Sequence, residues 1–272
     1  MEADPAAWIS ELRGSHERLA ELVGKLDSED LRRPSYDDDW TVAQVLSHIG
    51  SGAEISELRL AAAANGSAPP AREDFPKIWR RWDSLSPEAV AAAVVDADRS
   101  CVRRFERLDE RTGRDLRIPF MPGLDLDILG AVGMRLNEHA LHSWDVAVTF
   151  DPAARVAPGP VALLLDLLVE RLDWLVARIV PREASDAVAA KLGGREILVR
   201  TTDPERWLAI ALGGDSTRLL AGDPDGDPRL VVPAEAFLRL FSGRLDPDHT
   251  PDGVQVTPPL TLADLRTLFP GY

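Results

Sequence analysis

The first half of the chain alternates helical periodicity with short polar loops. A first helix is predicted over residues 5–26, where apolar residues follow a spacing of three and four. These residues are Ile9, Leu12, Leu19, Val23 and Leu26. A second helix is predicted over residues 41–64, because Thr41 and Gln44 have the spacing of a capping box.

Two more long helices are predicted in this half. The third begins at Ser86-Pro87 and extends to about residue 108, with proline in the first helical position that it favours. The fourth follows Gly123. Four helices of this length with loops between them predict a helical bundle, in which facing positions can build a site within the core.

The pattern changes in the second half. Segment 151–160 is rich in proline and breaks the helical periodicity, and a further helix is predicted over 161–179. Short apolar runs bounded by Gly, Asp and Pro then predict strands, and helices follow them. The predicted strands are 197–201, 207–211, 217–220 and 230–232, and the predicted helices are 233–241 and 260–268.

These patterns predict the α+β class and two domains. We expect a four-helix bundle over residues 1–155 and a small α+β domain over residues 156–272.

Charge and composition exclude several classes of function. The formal net charge is -14, so nothing attracts the chain to nucleic acid or to an anionic membrane. The longest apolar runs are too short to span a bilayer, and the N-terminus lacks the features of a secretory signal. The single cysteine, Cys101, excludes an internal disulfide and a cysteine-rich zinc site and is predicted to be a buried spacer. We therefore expect a cytoplasmic protein.

The fourth helix carries ionisable residues on its apolar stripe. Glu138 and His142 lie one turn apart, and Asp145 falls within about 60° of them around the axis. His139 is rotated by about 100° from Glu138 and is predicted to lie on the flank of the helix. Burial of such groups is costly unless they are paired or bind a metal.

His48 lies on the inward stripe of the second helix. Together with Glu138 and His142 it supplies two imidazoles and one carboxylate, which suit a catalytic zinc site and can also hold iron or nickel. The spacing equally allows a buried pair of Glu138 and His142, with His48 as a packed core histidine. Asp145 can orient a ligating histidine or form an ordinary helix hydrogen bond. His16 is also on an inward stripe, and packing is its predicted role.

A family resemblance adds to this interpretation. The residues Trp40-Thr41-Val42 and Val45-Leu46-Ser47-His48 resemble a pattern of the mycothiol-dependent maleylpyruvate isomerase family, which belongs to the DinB-like metal-binding bundles. The segment 135–145 is similar to the family's helix with Arg, Glu, His and Asp. The segment 236–244, which ends in Gly243-Arg244, resembles the motif of its sterol-carrier-like C-terminal domain.

The resemblance implies a function. It implies that His48, Glu138 and His142 bind a divalent metal, with Zn²⁺ as the first choice, and that mycothiol or a similar thiol is the cosubstrate. The chain would then be an isomerase or S-transferase that acts on a small electrophile, and a carboxylated one is compatible. The expected partners are this small-molecule substrate and the thiol, with no nucleic acid and no membrane. The protein is expected to be a monomer or a homodimer.

Three further residues receive roles from this interpretation. Arg244 is predicted to hold a substrate carboxylate or the thiol cofactor, because a guanidinium binds a carboxylate with two prongs. Its alternative is a surface arginine at the end of a turn. Trp40 is predicted to contact the cofactor, and Asp145 to support catalysis. Trp40 and the aromatic residues Phe75, Trp79 and Trp82 can wall a pocket or simply pack between helices.

One departure and two rival functions remain. The family usually has a small residue before the tryptophan, whereas this chain has Asp37-Asp38-Asp39, whose charge disfavours an anionic substrate. The rival functions are a non-catalytic protein that binds an apolar ligand or a partner, and a metal-dependent hydrolase in which water takes the open metal position.

Overall fold

The α+β class is confirmed by the structure, a computed structural model. It describes residues 4–37, 39–108, 116–121, 123–194, 196–213 and 216–271. Contacts divide the chain into two units, Met1–Ala154 and Arg155–Tyr272. The assignment of two domains over residues 1–155 and 156–272 stays a prediction.

The first unit consists mainly of helices. They are α1 (Pro5–Val23), α2 (Val42–Asn65), α3 (Phe75–Asp83), α4 (Pro87–Glu106) and α5 (Ile128–Phe150), with short 3₁₀ turns at Asp30–Arg32 and Arg72–Asp74. Helices α1 and α2 each contact both α4 and α5, which is the arrangement of the predicted bundle. An antiparallel hairpin of β1 (Ile118–Met121) and β2 (Leu124–Leu126) precedes α5, and the sequence pattern did not predict it.

The start of α2 is determined by its cap. Thr41 Oγ1 accepts a hydrogen bond from the backbone N–H of Gln44 at 3.3 Å, and Gln44 Oε1 accepts one from the backbone N–H of Thr41 at 2.8 Å. This is the predicted capping box; it provides an acceptor for the backbone N–H of Thr41 and a second acceptor for that of Gln44, which also contacts the carbonyl oxygen of Thr41. It sets the first turn of the helix that carries His48.

The second unit combines a mixed sheet with helices. The helices are α6 (Pro158–Arg171), α7 (Asp173–Ile179), α8 (Arg182–Leu192), α9 (Ala234–Phe241) and α10 (Leu262–Leu268). The strands are β3 (Glu196–Thr202), β4 (Arg206–Ala211), β5 (Arg218–Ala221), β6 (Leu230–Pro233) and β7 (Gln255–Val256). Their order is β5-β4-β3-β6-β7, and β3 pairs parallel with β6 and antiparallel with β4.

The prediction of one helix over residues 161–179 is wrong. Leu172 separates α6 from α7 with φ -111° and ψ 26°, outside the helical range. Leu172 is itself buried, so the apolar pattern continues through the break and conceals it. Helix α8 and the short strand β7 were not predicted either.

A carboxylate lies buried in the core of the helical bundle. Asp98, on α4, is fully buried. Its Oδ1 accepts a hydrogen bond from Arg135 Nη2 at 2.6 Å, and its Oδ2 lies 2.9 Å from both His139 Nε2 and His16 Nδ1. Burial alone would raise the pKa of Asp98, but the attraction of His139 and Arg135 and the hydrogen bonds of the two histidines hold it well below its usual range. Asp98 therefore joins α4 to α1 and α5 as an ionised group.

Replacement of this carboxylate tests its contribution to stability. Asp98→Asn preserves the size of the side chain but leaves the buried guanidinium of Arg135 without its counter-charge. We expect the free energy of unfolding at pH 7 to fall by about 3–5 kcal/mol, as measured by urea denaturation. Asp96→Asn is the matched control, because Asp96 lies exposed on the same helix and forms a surface pair with Arg99; its effect should stay within about 1 kcal/mol.

The difference in stability between wild type and Asp98→Asn should depend on pH. The folded-state pKa of Asp98 lies below its unfolded value, which is about 3.9. The stabilisation is therefore fully present above the unfolded pKa and is lost as the pH falls toward the folded one. The difference between wild type and Asp98→Asn should narrow below about pH 4. Equal stability of the two proteins at pH 7 would contradict this role of Asp98.

Candidate metal centre

Helix α5 carries most of the candidate site. Its first turn is capped by Asp127, whose Oδ1 accepts a hydrogen bond from the backbone N–H of Gly130 at 2.8 Å. Glu138 and His142 follow one turn apart and point toward the same neighbour, as their spacing predicts. That neighbour is α2, which supplies His48.

The three predicted ligands come together. His48 Nε2 lies 3.1 Å from Glu138 Oε2, and His142 Nε2 lies 3.6 Å from the same oxygen. One potential ligand atom from each residue falls within 4.8 Å of the others. The geometry is therefore compatible with one cation bound by all three side chains.

Asp145 orients one of these ligands. Its Oδ2 lies 2.9 Å from His142 Nδ1, and Asp145 is fully buried. When Nδ1–H donates to this carboxylate, the lone pair of Nε2 faces Glu138 and His48. Such a carboxylate behind a histidine is typical of metal sites.

The electrostatics of the cluster favour a cation. Burial alone would raise the pKa of Glu138, but its hydrogen bonds with His142 and His48 hold it far below its usual value. Burial alone would lower the pKa of His142, but Asp145 and Glu138 outweigh this effect and raise it. The side chains of His48 and Glu138 remain 38% and 35% exposed, so an external ligand can reach the cluster.

Trp40 covers one side of the two histidines. Its ring centroid lies 5.3 Å from that of His48 and 6.4 Å from that of His142. Of the aspartates that precede it, Asp37 is half-buried and Asp39 is exposed, while position 38 lies outside the described residues. The indole of Trp40 therefore packs against the cluster directly after this acidic segment in the sequence.

None of the other three histidines, all within the described residues, belongs to this cluster. His16 is buried against Asp98, in the packing role predicted for it. The prediction that His139 lies on a flank is wrong, because α1 packs on that side of α5; His139 is fully buried, with Nδ1 2.8 Å from Ser15 Oγ. His249, in the second unit, is half-buried and contacts Asp246.

Arg244 belongs to the second unit. It is buried, and its Nη1 donates to the carbonyl of Ser242 at 3.1 Å, so the alternative of a surface arginine is wrong. The glycine before it has a conformational reason. Gly243 has φ 76°, and a Cβ there would lie 2.7 Å from Gly271 Cα. Binding of a carboxylate or cofactor by Arg244 stays a prediction.

The buried role of Asp98 was not predicted from the sequence. Its one signal was its position on the inward stripe of α4, between Val94 and Cys101. The guanidinium of Arg135, one turn before Glu138 on α5, pairs with Asp98. Cys101 is buried, as predicted.

A cavity of about 220 Å³ lies beside the cluster, within the first unit. Most of its wall is apolar, and Phe75 and Trp79 belong to it, whereas Trp82 packs against Gly50 in the core. The polar lining residues are His48, Ser56, Arg59, Arg135 and Glu138. The other lining residues are Gly52, Ile55, Leu60, Phe105, Ile118, Phe120, Leu126, Ala131 and Met134, besides the two aromatic residues named above.

Within the described residues, no helix is both long enough and apolar enough to cross a membrane.

Comparisons with known proteins identify relatives of this chain. Residues 12–147 match the family model of the mycothiol maleylpyruvate isomerase N-terminal domain. Two crystal structures of a mycothiol-dependent maleylpyruvate isomerase, one of them a histidine-to-alanine mutant, share the fold with TM-scores of 0.63 and 0.62. Each aligns over 96% of this chain and 95% of the other at 15% identity. No curated protein sequence matches the chain.

The family match covers half of the chain and includes His48, Glu138 and His142, and the structural likeness covers both units. The chain belongs to the mycothiol-dependent maleylpyruvate isomerase family.

Proposed function

We propose that this protein is a metal-dependent enzyme that uses mycothiol or a similar low-molecular-weight thiol to isomerise a small electrophile or to transfer the thiol to it. The observation that carries the proposal is the convergence of His48, Glu138 and His142 within 4.8 Å. Membership of the family supports the choice of a thiol as cosubstrate.

His48, Glu138 and His142 would hold the metal, and Zn²⁺ fits this donor set best. The orientation of His142 by Asp145 at 2.9 Å supports the assignment. A bound divalent metal lowers the pKa of a coordinating thiol, so that thiolate is present near neutral pH.

Other residues would orient a metal ligand, limit the access of water and bind the substrate or the thiol. Asp145 holds the proton on His142 Nδ1 and so preserves the ligating tautomer. Trp40 lies against both histidines and would limit the access of water and contact the thiol cofactor. Arg244 would hold a substrate carboxylate or the thiol, through the two-pronged geometry of a guanidinium. Cys101 is fully buried, so the nucleophile is external.

The reaction then follows from thiol chemistry. The thiolate sulfur adds to one carbon of an activated double bond, and the electron pair of that bond moves to the activating group. Rotation about the resulting single bond and loss of the same thiolate convert cis to trans without net change in the thiol. If a proton is added in place of this loss, the sulfur stays attached and the reaction is an S-transfer.

Metal analysis with thiol titration tests the proposal. Wild type should contain about one equivalent of divalent metal, and the cobalt-substituted protein should change its absorption spectrum when thiol is added. His48→Ala and His142→Ala should lose the metal, because each removes one of three protein ligands. His249→Ala is the control and should retain it, since His249 contacts Asp246 and is not one of the three clustered residues.

The rival functions predict other results. A correctly folded wild type without metal would exclude the proposed enzyme and favour a non-catalytic binding protein. If the protein binds metal but the absorption spectrum of its cobalt-substituted form does not change when thiol is added, the result would favour the hydrolase.

Asp145 should tune the metal affinity. Asp145→Asn keeps the shape of the side chain but removes the charge behind His142. We expect metal to bind about 10–100-fold more weakly, as measured by competition with a chromophoric chelator. Asp151→Asn, in an exposed residue at the end of the same helix, should not change the affinity. Unchanged affinity in Asp145→Asn would show that Asp145 does not support a ligand.

Cys101 should be unreactive in the folded protein. Burial raises the pKa of its thiol to about 12, so roughly one molecule in ten thousand carries the thiolate at pH 8. An aromatic disulfide reagent should therefore titrate no thiol in the native protein and one thiol after denaturation. Cys101→Ser should retain thiol-dependent turnover; loss of turnover with an intact fold would make Cys101 the nucleophile.

A further inference from the structure

One face of α2 connects the candidate metal centre to an arginine. His48 and Arg59 are eleven residues apart, which places them within about 20° of each other around the helix and about 16 Å apart along it. Gly52 and Ile55 lie between them, and all four residues line the cavity. The cavity therefore extends along α2 from the metal-ligand cluster to Arg59.

Arg59 is held in a fixed position. Its guanidinium lies 5.0 Å from the ring centroid of Phe75 and 5.1 Å from that of Phe120. Its Nη2 donates to the carbonyl oxygen of Phe120 at 2.9 Å. One N–H group is thus used, and a guanidinium has five. The side chain is ordered in advance with donors to spare, which lowers the entropic cost of binding an anion.

The charge of Arg59 has no counter-charge in the described part of the chain. Its contacts there are two aromatic rings and one carbonyl oxygen. Burial and the positive charge of Arg72 both lower the pKa of its guanidinium. The other arginine of the cavity differs, because Asp98 neutralises Arg135 at 2.6 Å. A half-buried cation without a partner is costly, and a bound anion would remove that cost.

The rest of the cavity selects for hydrocarbon. Its wall is mostly aliphatic and aromatic, and its volume is about 220 Å³. An apolar cavity of about 150 Å³ is enough to hold benzene. A ring-sized apolar group with a short substituent therefore fits, whereas a compact dianion would leave one charge against hydrocarbon.

We propose that this cavity binds an elongated monocarboxylate with an apolar, ring-sized body, whose carboxylate pairs with Arg59 and whose opposite end reaches His48 and Glu138. That this monocarboxylate is the substrate rests on the proposed function, because its electrophilic carbon would then lie at the end of the cavity formed by His48 and Glu138. That the cavity binds such a ligand depends only on Arg59 and the shape and lining of the cavity.

Calorimetric titration of the full-length protein tests the proposal with three probes. These are trans-cinnamate, its uncharged amide, and maleate as a compact dianion. Wild type should bind cinnamate at least about tenfold more tightly than the amide or maleate, since a hydrogen-bonded ion pair is worth that much. Arg59→Met should remove this preference and leave the amide affinity within about twofold, and Arg59→Lys should restore part of it.

Further variants locate the ligand. Arg103→Met, an exposed arginine on α4 of the same unit, should bind like wild type. Ala131→Leu fills the cavity and should weaken cinnamate and its amide alike. If Arg59→Met binds cinnamate like wild type while His142→Ala does not, the carboxylate binds at the metal-ligand cluster and the inference is overturned. Tighter binding of maleate than of cinnamate would overturn it as well.

Different results would contradict the proposed enzyme and the proposed ligand class. A protein without metal that still binds cinnamate through Arg59 would contradict the enzyme but retain the ligand class. A metalloprotein that responds to thiol but binds the amide as tightly as cinnamate would retain the enzyme and contradict the ligand class.

Discussion

The buried carboxylate of Asp98 is the interaction on which the first unit depends. An ionised group at the centre of a bundle is tolerated only when its partners reach it, and these come from α1 and α5. Helix α5 must therefore pack with Arg135 and His139 turned toward Asp98. The same orientation of α5 turns Glu138 and His142 toward α2 and His48. The ion pair of Asp98 with Arg135 therefore helps to set the geometry of the candidate site.

Local sequence signals predicted the long helices of the first unit, because periodicity and capping are properties of a few neighbouring residues, whereas the choice of His48, Glu138 and His142 as a ligand set came from the family resemblance. The capping box of Thr41 and the spacing of Glu138 and His142 are examples of such local signals. Asp98 was missed because its partners lie 37 to 82 residues away, and an aspartate on an apolar stripe looks like an interruption. The break at Leu172 was missed because the hydrophobic pattern continues through it.

The two arginines of the cavity show why residue type alone did not identify a binding group. Arg135 and Arg59 both line the same space, and both are charged at neutral pH. Arg135 is neutralised by Asp98, so its role is to hold the bundle together. Arg59 contacts aromatic rings, which favour a cation but do not cancel its charge. Only the three-dimensional contacts separate a structural arginine from one with binding capacity left.

Part of the cavity wall comes from the hairpin and α3, elements separate from those that carry the clustered residues. Phe75 and Trp79 come from α3, and Ile118 and Phe120 from β1, whereas the clustered residues come from α2 and α5. Among the residues that the structure describes, neither wall element supplies a partner of Asp98 or a member of the cluster of His48, Glu138 and His142. Substitutions at exposed lining positions such as Trp79 can therefore reshape the cavity wall while the clustered residues and the Asp98 network stay unchanged, so the shape of the cavity can diverge in this scaffold without replacement of those residues.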